Sequence, residues 1–190
     1  MSHKKTTAEI ERSLNEVFAA IDEWFDKPEP VINFARADGT WSIAQILEHV
    51  YLTNHFLLLT LNKHADKAAQ RFAKGDQAKA AEEAVEAESD LDFLLLIGVR
   101  GSFHWKNPDH MEPTGDVSLA EIRSRLKQQL AQCLDLNVKI SEGVGALAKV
   151  TMTVNDLGKI DLYQWLYFIS QHARRHLQQL ESAYAEAITD

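Results

Sequence analysis

Residues 161–180 read DLYQWLYFISQHARRHLQQL. Leu162, Trp165, Ile169, Leu177 and Leu180, continued by Tyr184, recur at the three-to-four-residue step of an α-helix, and Asp161 with Gln164 has the spacing of a capping box that would open it. His172 and His176 stand one helical turn apart. Both imidazoles therefore leave from one face and can meet a single ion. Because that face also carries Trp165 and Ile169, the pair points inward or to the edge of a pocket. Such a helix needs apolar neighbours that also supply polar partners.

Three more segments answer that need. Ser42 and Gln45 have capping-box spacing, and Trp41 is placed to staple onto Ile46. The helix they open carries Ile43, Ile46, Leu47, Val50, Leu57, Leu58 and Leu61 on one stripe, with His49 beside it. His49 could complete a set of three ligands, although a lone histidine there more often bonds to a backbone carbonyl. Ser118 and Glu121 start a third helix, whose buried face is Leu119, Ile122, Leu126, Leu130, Cys133, Leu134 and Ile140, ending near Gly143. Ile10, Leu14, Val17, Phe18, Ile21, Trp24 and Phe25 give the first helix, about Thr7 to Phe25, with Thr6 and Glu9 at cap spacing.

Between these helices, Pro28, Pro30 and Gly39 make the stretch from Asp26 to Thr40 a crossing connection. Gly98, Gly101, Pro108, Pro113 and Gly115 make the stretch from Leu91 to Val117 irregular, and a loop runs through Asn155 and Gly158. Residues 66–90 form a polar insert rich in Ala, Lys and Glu. The expected fold is all-α: one domain over residues 1–190, a four-helix bundle with long crossovers and a site built between facing helices.

A net charge of -8 and a pI near 5.5 supply no footprint for a phosphate backbone or an anionic membrane, so nucleic acid and lipid are not expected partners. No stretch approaches the roughly 20 apolar residues of a membrane span and the N-terminus has no leader-like core, so the expected location is the cytoplasm. One cysteine, Cys133, excludes an intramolecular disulfide and a Cys-cluster metal site. It reads as a core residue before a nucleophile.

The remaining polar residues near the histidines divide by helical phase. Gln45 precedes His49 by a turn and Gln179 follows His176 by three residues, so each either lines the pocket or lies at the surface. Arg175 is aimed away from the face of His176 and is expected in a salt bridge. Trp165 and Phe168 read as core. His55 is rotated off the face of His49, His64 borders the polar insert, His3 belongs to a frayed terminus, and His104 and His110 are solvated loop residues rather than lid residues.

Three stretches, residues 41–50, 157–166 and 171–180, taken in order and with Met111 to Gly115 between them, resemble the DinB-like superfamily, with the nearer likeness to its YfiT-like branch. The resemblance implies an up-up-down-down bundle and a divalent-metal site of His49, His172 and His176, with zinc or nickel the expected ion. It also implies association into homodimers. Three neutral imidazoles leave a coordination position open, as an exchanging or catalytic site requires. Similar proteins include thiol-dependent S-transferases, so the expected partners are a small-molecule substrate, namely a low-molecular-weight thiol plus an electrophile. The alternatives are a metal-dependent hydrolase and a non-catalytic metal-binding or stress-response dimer. No general base, and so no catalytic residue, is evident beside the three histidines.

Overall fold

The computed structural model describes residues 3–74, 89–102 and 107–189. It is mostly helical, with α1 His3–Asp22, α2 Glu29–Ile32, α3 Ile43–Ala73, α4 Leu119–Lys139 and α5 Leu162–Ala187, plus one small antiparallel pair, β1 Lys149–Met152 and β2 Gly158–Asp161. The capping boxes at Ser42 and Asp161 carry both of their reciprocal bonds, and Ser118 accepts from the Glu121 amide. The cap spacing at Thr6 marks no helix start. α1 begins a turn earlier, with the Thr7 hydroxyl bonded back to the His3 carbonyl, and His3 stacks on Tyr163 at 5.8 Å instead of fraying.

Packing contacts give the helix directions. Arg123 pairs with Asp22 at 2.8 Å and Asn137 donates to the Thr7 carbonyl at 2.9 Å, so α4 runs antiparallel to α1. Trp165 donates to the Leu57 carbonyl while His176 faces His49, so α5 runs antiparallel to α3. Ser13 donates to Ser170 and Trp24 meets Tyr184, making α1 and α5 parallel; Arg125 with Tyr51 and Lys139 with Asp66 make α3 and α4 parallel. The order is therefore up-down-down-up, which corrects the up-up-down-down arrangement implied by resemblance. α1 and α3 occupy diagonal corners, and the chain from residue 23 to 42 crosses only the end of the bundle, so α3 must start back down.

Because α3 and α4 are parallel, the chain between them returns along the whole bundle, and it does so over α5. The Ser89 hydroxyl donates to Asp161 at 2.6 Å at the start of α5, and a seven-residue 3-10 segment, Asp92–Gly98, lies along the helix. The Arg100 amide donates to Gln178 at 2.9 Å, and the Thr114 and Gly115 amides reach Glu48 on α3. At Gly98 a Cβ would stand 2.7 Å from Gln171 Oε1, so a side chain there would have to displace the Gln171 amide where the returning backbone passes the helix that carries His172.

This cover explains the first half of α5. Residues 165–173 are buried on every side, Leu166, Tyr167 and Phe168 included, as expected of a helix surrounded by α1, α3 and the return segment. Of the 66–90 insert, residues 66–73 continue α3, 75–88 lie outside the described residues, and Ser89 is buried. The loop expected through Asn155 and Gly158 is the turn of the β1–β2 hairpin, with Asn155 and Asp156 at positive φ. Among the described residues no helix is long and apolar enough to cross a membrane.

Where the hairpin segment meets α5, a Cβ on Gly145 would fall 2.6 Å from the ring of Tyr163, which is fully buried and whose hydroxyl accepts from the Gly143 amide. Gly145→Ala is accordingly expected to destabilise the fold by about 1–3 kcal/mol through overpacking. Urea unfolding followed by circular dichroism checks this, with a lowered midpoint at unchanged slope as the expected outcome.

Candidate metal centre

His49 sits in the second turn of α3, two turns in from the Ser42 cap, while His172 and His176 sit on the middle of α5. The antiparallel packing of α3 on α5 brings the three rings together, with centroids 5.4 Å (His49 to His172), 4.8 Å (His49 to His176) and 4.5 Å (His172 to His176) apart. One nitrogen from each lies within 4.8 Å of the others, and the residues are 1%, 0% and 5% exposed. No carboxylate or thiol joins this group among the described residues.

Their surroundings set the tautomers. The Met111 carbonyl can only accept, so His49 Nδ1 carries the hydrogen at 2.8 Å and Nε2 keeps its lone pair. Gln179 Oε1 accepts from His176 Nδ1 at 2.7 Å in the same way, and His176 Nε2 turns to His172 Nε2 at 3.0 Å. Two ring nitrogens so close share either one hydrogen or one ion. An imidazole whose far N–H is held by an oxygen acceptor is the usual form of a metal-ligating histidine.

Charge is excluded from the cluster. Burial lowers the proton affinity of His49 in spite of its bond to Met111. His172 is held well below the ordinary imidazole range by burial first and then by His176 and His49, and His176 is pushed down to about 3, chiefly by burial. All three are neutral at pH 7, the state that offers lone pairs to a metal. The donor set fits a borderline divalent cation: three neutral nitrogens, no hard oxygen cage and no sulfur.

The sequence left two supports of the site unread. Glu48, beside His49 in the chain, is 2% exposed and accepts from Thr114 N at 3.1 Å, Thr114 Oγ1 at 3.0 Å and Gly115 N at 2.8 Å. That triple bond to the end of the return segment brings the Met111 carbonyl onto His49. A buried acid beside a histidine was the available signal, but its partners lie 66 residues on. Trp41, read only as a helix staple, also covers His49, ring to ring at 4.7 Å.

The other residues singled out separate cleanly. Gln179 orients His176, whereas Gln45 spends its side chain on the Ser42 amide at 3.0 Å and takes no part in the cluster. Arg175, expected in a salt bridge, donates to the Val99 carbonyl at 2.5 Å and to the Ser102 hydroxyl, two neutral acceptors. Trp165 and Phe168 are core, with Phe168 stacked along His172, and burial pushes the Cys133 thiol up to about 12, which removes it as a nucleophile. His110 packs on Phe56 at 4.4 Å, His55 meets the same ring at 5.2 Å, and His104 lies outside the described residues.

The family model of the DinB superfamily matches residues 8–180, a span that includes all three histidines, Glu48 and Gln179. No curated protein and no solved structure matches the chain.

Two outcomes follow from this geometry. Gln179→Ala removes the acceptor that orients His176 and should weaken Zn2+ affinity on the order of 10–100-fold. Competition with a chromophoric chelator reads it, and an unchanged affinity would show that the bond does not position the ring. The pH dependence has a definite sign. The unfolded chain takes up protons below about 6.5 that the buried imidazoles refuse, in the case of His176 down to about 3. The metal-free fold should lose stability as pH falls through this window, and His176→Gln should show a shallower loss in the same unfolding titration.

Proposed function

We propose, on the premise that the chain belongs to the DinB superfamily, that it is a divalent-metal-dependent enzyme of the thiol S-transferase type, of the YfiT-like branch, working in the cytoplasm on a low-molecular-weight thiol and an electrophile. The observation that carries the reading is the buried set His49, His172 and His176, neutral and sharing one point, with Met111 and Gln179 fixing two of the tautomers.

A zinc or nickel ion held there would supply Lewis acidity and keep a thiol deprotonated at neutral pH. The chain does the rest. His49 and His176 are held in ligating orientation by acceptors on their far nitrogens, so little reorganisation is needed to bind an ion. Trp41 and the bundle core exclude water from one side of the cluster, which strengthens every electrostatic contact inside it. Three ligands leave room for an exchangeable partner, unlike a closed structural site.

Thiol transfer is preferred to hydrolysis because of Glu48. Hydrolysis gains most from a general base beside the ion, and the carboxylate adjacent to His49 in sequence is turned to Thr114 and Gly115, with its three hydrogen bonds directed at the loop. A thiol needs no such base once it is ionised by the metal. The hydroxyl of Thr53, 3.4 Å from His49 Nε2, contacts the cluster, and it is too weak a base to replace a carboxylate.

Elemental analysis of untagged protein, purified without chelator or metal-affinity resin, tests the site. Near-stoichiometric zinc or nickel is expected in the wild type, with loss in both His172→Ala and His176→Ala. In Co2+-loaded protein, added 2-mercaptoethanol should change the visible spectrum and introduce a sulfur-to-cobalt band. A wild type that refuses Zn2+, Ni2+ and Co2+ would end the metal reading, while metal without any thiol response would leave a metal-binding module.

A further inference from the structure

A cleft of about 250 Å³ opens beside the cluster, lined by Arg36, Thr40, Trp41, Arg100 and Gln179 among others. Two of its walls belong to the histidine site as well: the Trp41 ring lies on His49, and Gln179 accepts from His176. Anything bound in the cleft therefore rests against the residues that orient two of the three imidazoles.

The charge of this cleft runs against that of the molecule. The chain has a formal net charge of -8, so its far field repels anions, yet two arginines line one small opening. Arg36 is fixed as a wall by Glu186 at 2.8 Å and, more loosely, by Asp38 at 3.8 Å, and its side chain is only 9% exposed. Arg100 differs. Its backbone is tied to α5 through Gln178, but its guanidinium has no acidic partner among the described residues. The neighbouring residue, Val99, receives the guanidinium of Arg175, so a second cation stands one residue away from Arg100. A guanidinium left without an acid at a cleft, as that of Arg100 is among the described residues, is open to a ligand that brings the negative charge, and its planar fork matches a carboxylate.

We infer that this cleft is a subsite for the carboxylate of a small organic acid, with Arg100 receiving the carboxylate and the indole of Trp41 carrying the apolar body toward the three histidines. The volume, just under the ~300 Å³ at which pockets for drug-sized ligands begin, selects a short acid rather than a peptide or a nucleotide. The inference deepens the transferase reading and rests on it only for what the acid meets beyond Gln179. The carboxylate could belong to the thiol or to the electrophile; the subsite chemistry is the same for both.

Calorimetric titration of the metal-free full-length protein separates the subsite from the metal. The probes are 3-mercaptopropionate, propionate and the neutral 3-mercaptopropanol. Both acids should bind roughly tenfold more tightly than the alcohol, more weakly as salt rises, with the advantage lost in Arg100→Gln and partly kept in Arg100→Lys. Arg100 is exposed, so these variants should fold as the wild type does, which thermal unfolding verifies. Equal affinity for acid and alcohol, or an acid preference that survives Arg100→Gln, overturns the subsite. In Co2+-loaded protein, a sulfur-to-cobalt band with 3-mercaptopropionate that weakens in Arg100→Gln assigns the carboxylate to the thiol. Arg100-dependent binding of both acids without such a band keeps the subsite and assigns its carboxylate to the electrophile, while the response to 2-mercaptoethanol decides the thiol reading separately.

Discussion

Parallel packing of α3 and α4 obliges the chain to travel back the length of the bundle, and most of what is particular to this molecule is built from that return. The segment could have looped free in solvent. Instead it is fastened at Asp161, passes over Gln171 with a glycine in closest approach, and ends with three bonds to the Glu48 carboxylate. Leu91, Leu94 and Ile97 bury apolar surface along the way, and the polar ties reach the cap of α5 or α3 itself, the two helices that carry the histidines. The carbonyl that fixes the His49 tautomer is thereby supplied by the last part of a long connection, 62 residues from its partner.

The same return segment sets the electrostatics. With α5 covered on its open side, three imidazoles sit in a medium that cannot stabilise their charge, and neutrality follows from burial before any mutual repulsion is counted. Neutral rings packed without ionic partners are costly unless their N–H groups find acceptors, and Met111 and Gln179 provide two. The resulting arrangement of His49 and His176, lone pairs inward and hydrogens outward, is poor as packing for its own sake. It is well suited to a cation that arrives with two positive charges.

The helices and the histidine pair were legible in the sequence because they rest on local rules. Capping boxes at Ser42 and Asp161 and the four-residue spacing of His172 and His176 need no knowledge of tertiary structure. Helix direction was not legible, since the periodicity of a stripe is the same read up or down, and the order taken from resemblance was replaced by the pairs Arg123 with Asp22 and Tyr51 with Arg125. The all-round apolar run from Trp165 to Ile169 held an unread signal that α5 is central. Glu48 and Arg100 escaped notice for a plainer reason: their roles depend on partners brought together only by the return segment. The hairpin was hidden by its shortness, four residues in each strand.

The central claim, that His49, His172 and His176 jointly hold one divalent ion, is tested most directly by X-ray absorption at the metal edge of zinc-loaded, untagged protein. The account predicts three imidazole nitrogens at about 2.0–2.1 Å with one further light donor completing the shell. A shell with one imidazole or none, or one dominated by carboxylate oxygen, would contradict it and place the ion elsewhere on an acidic surface.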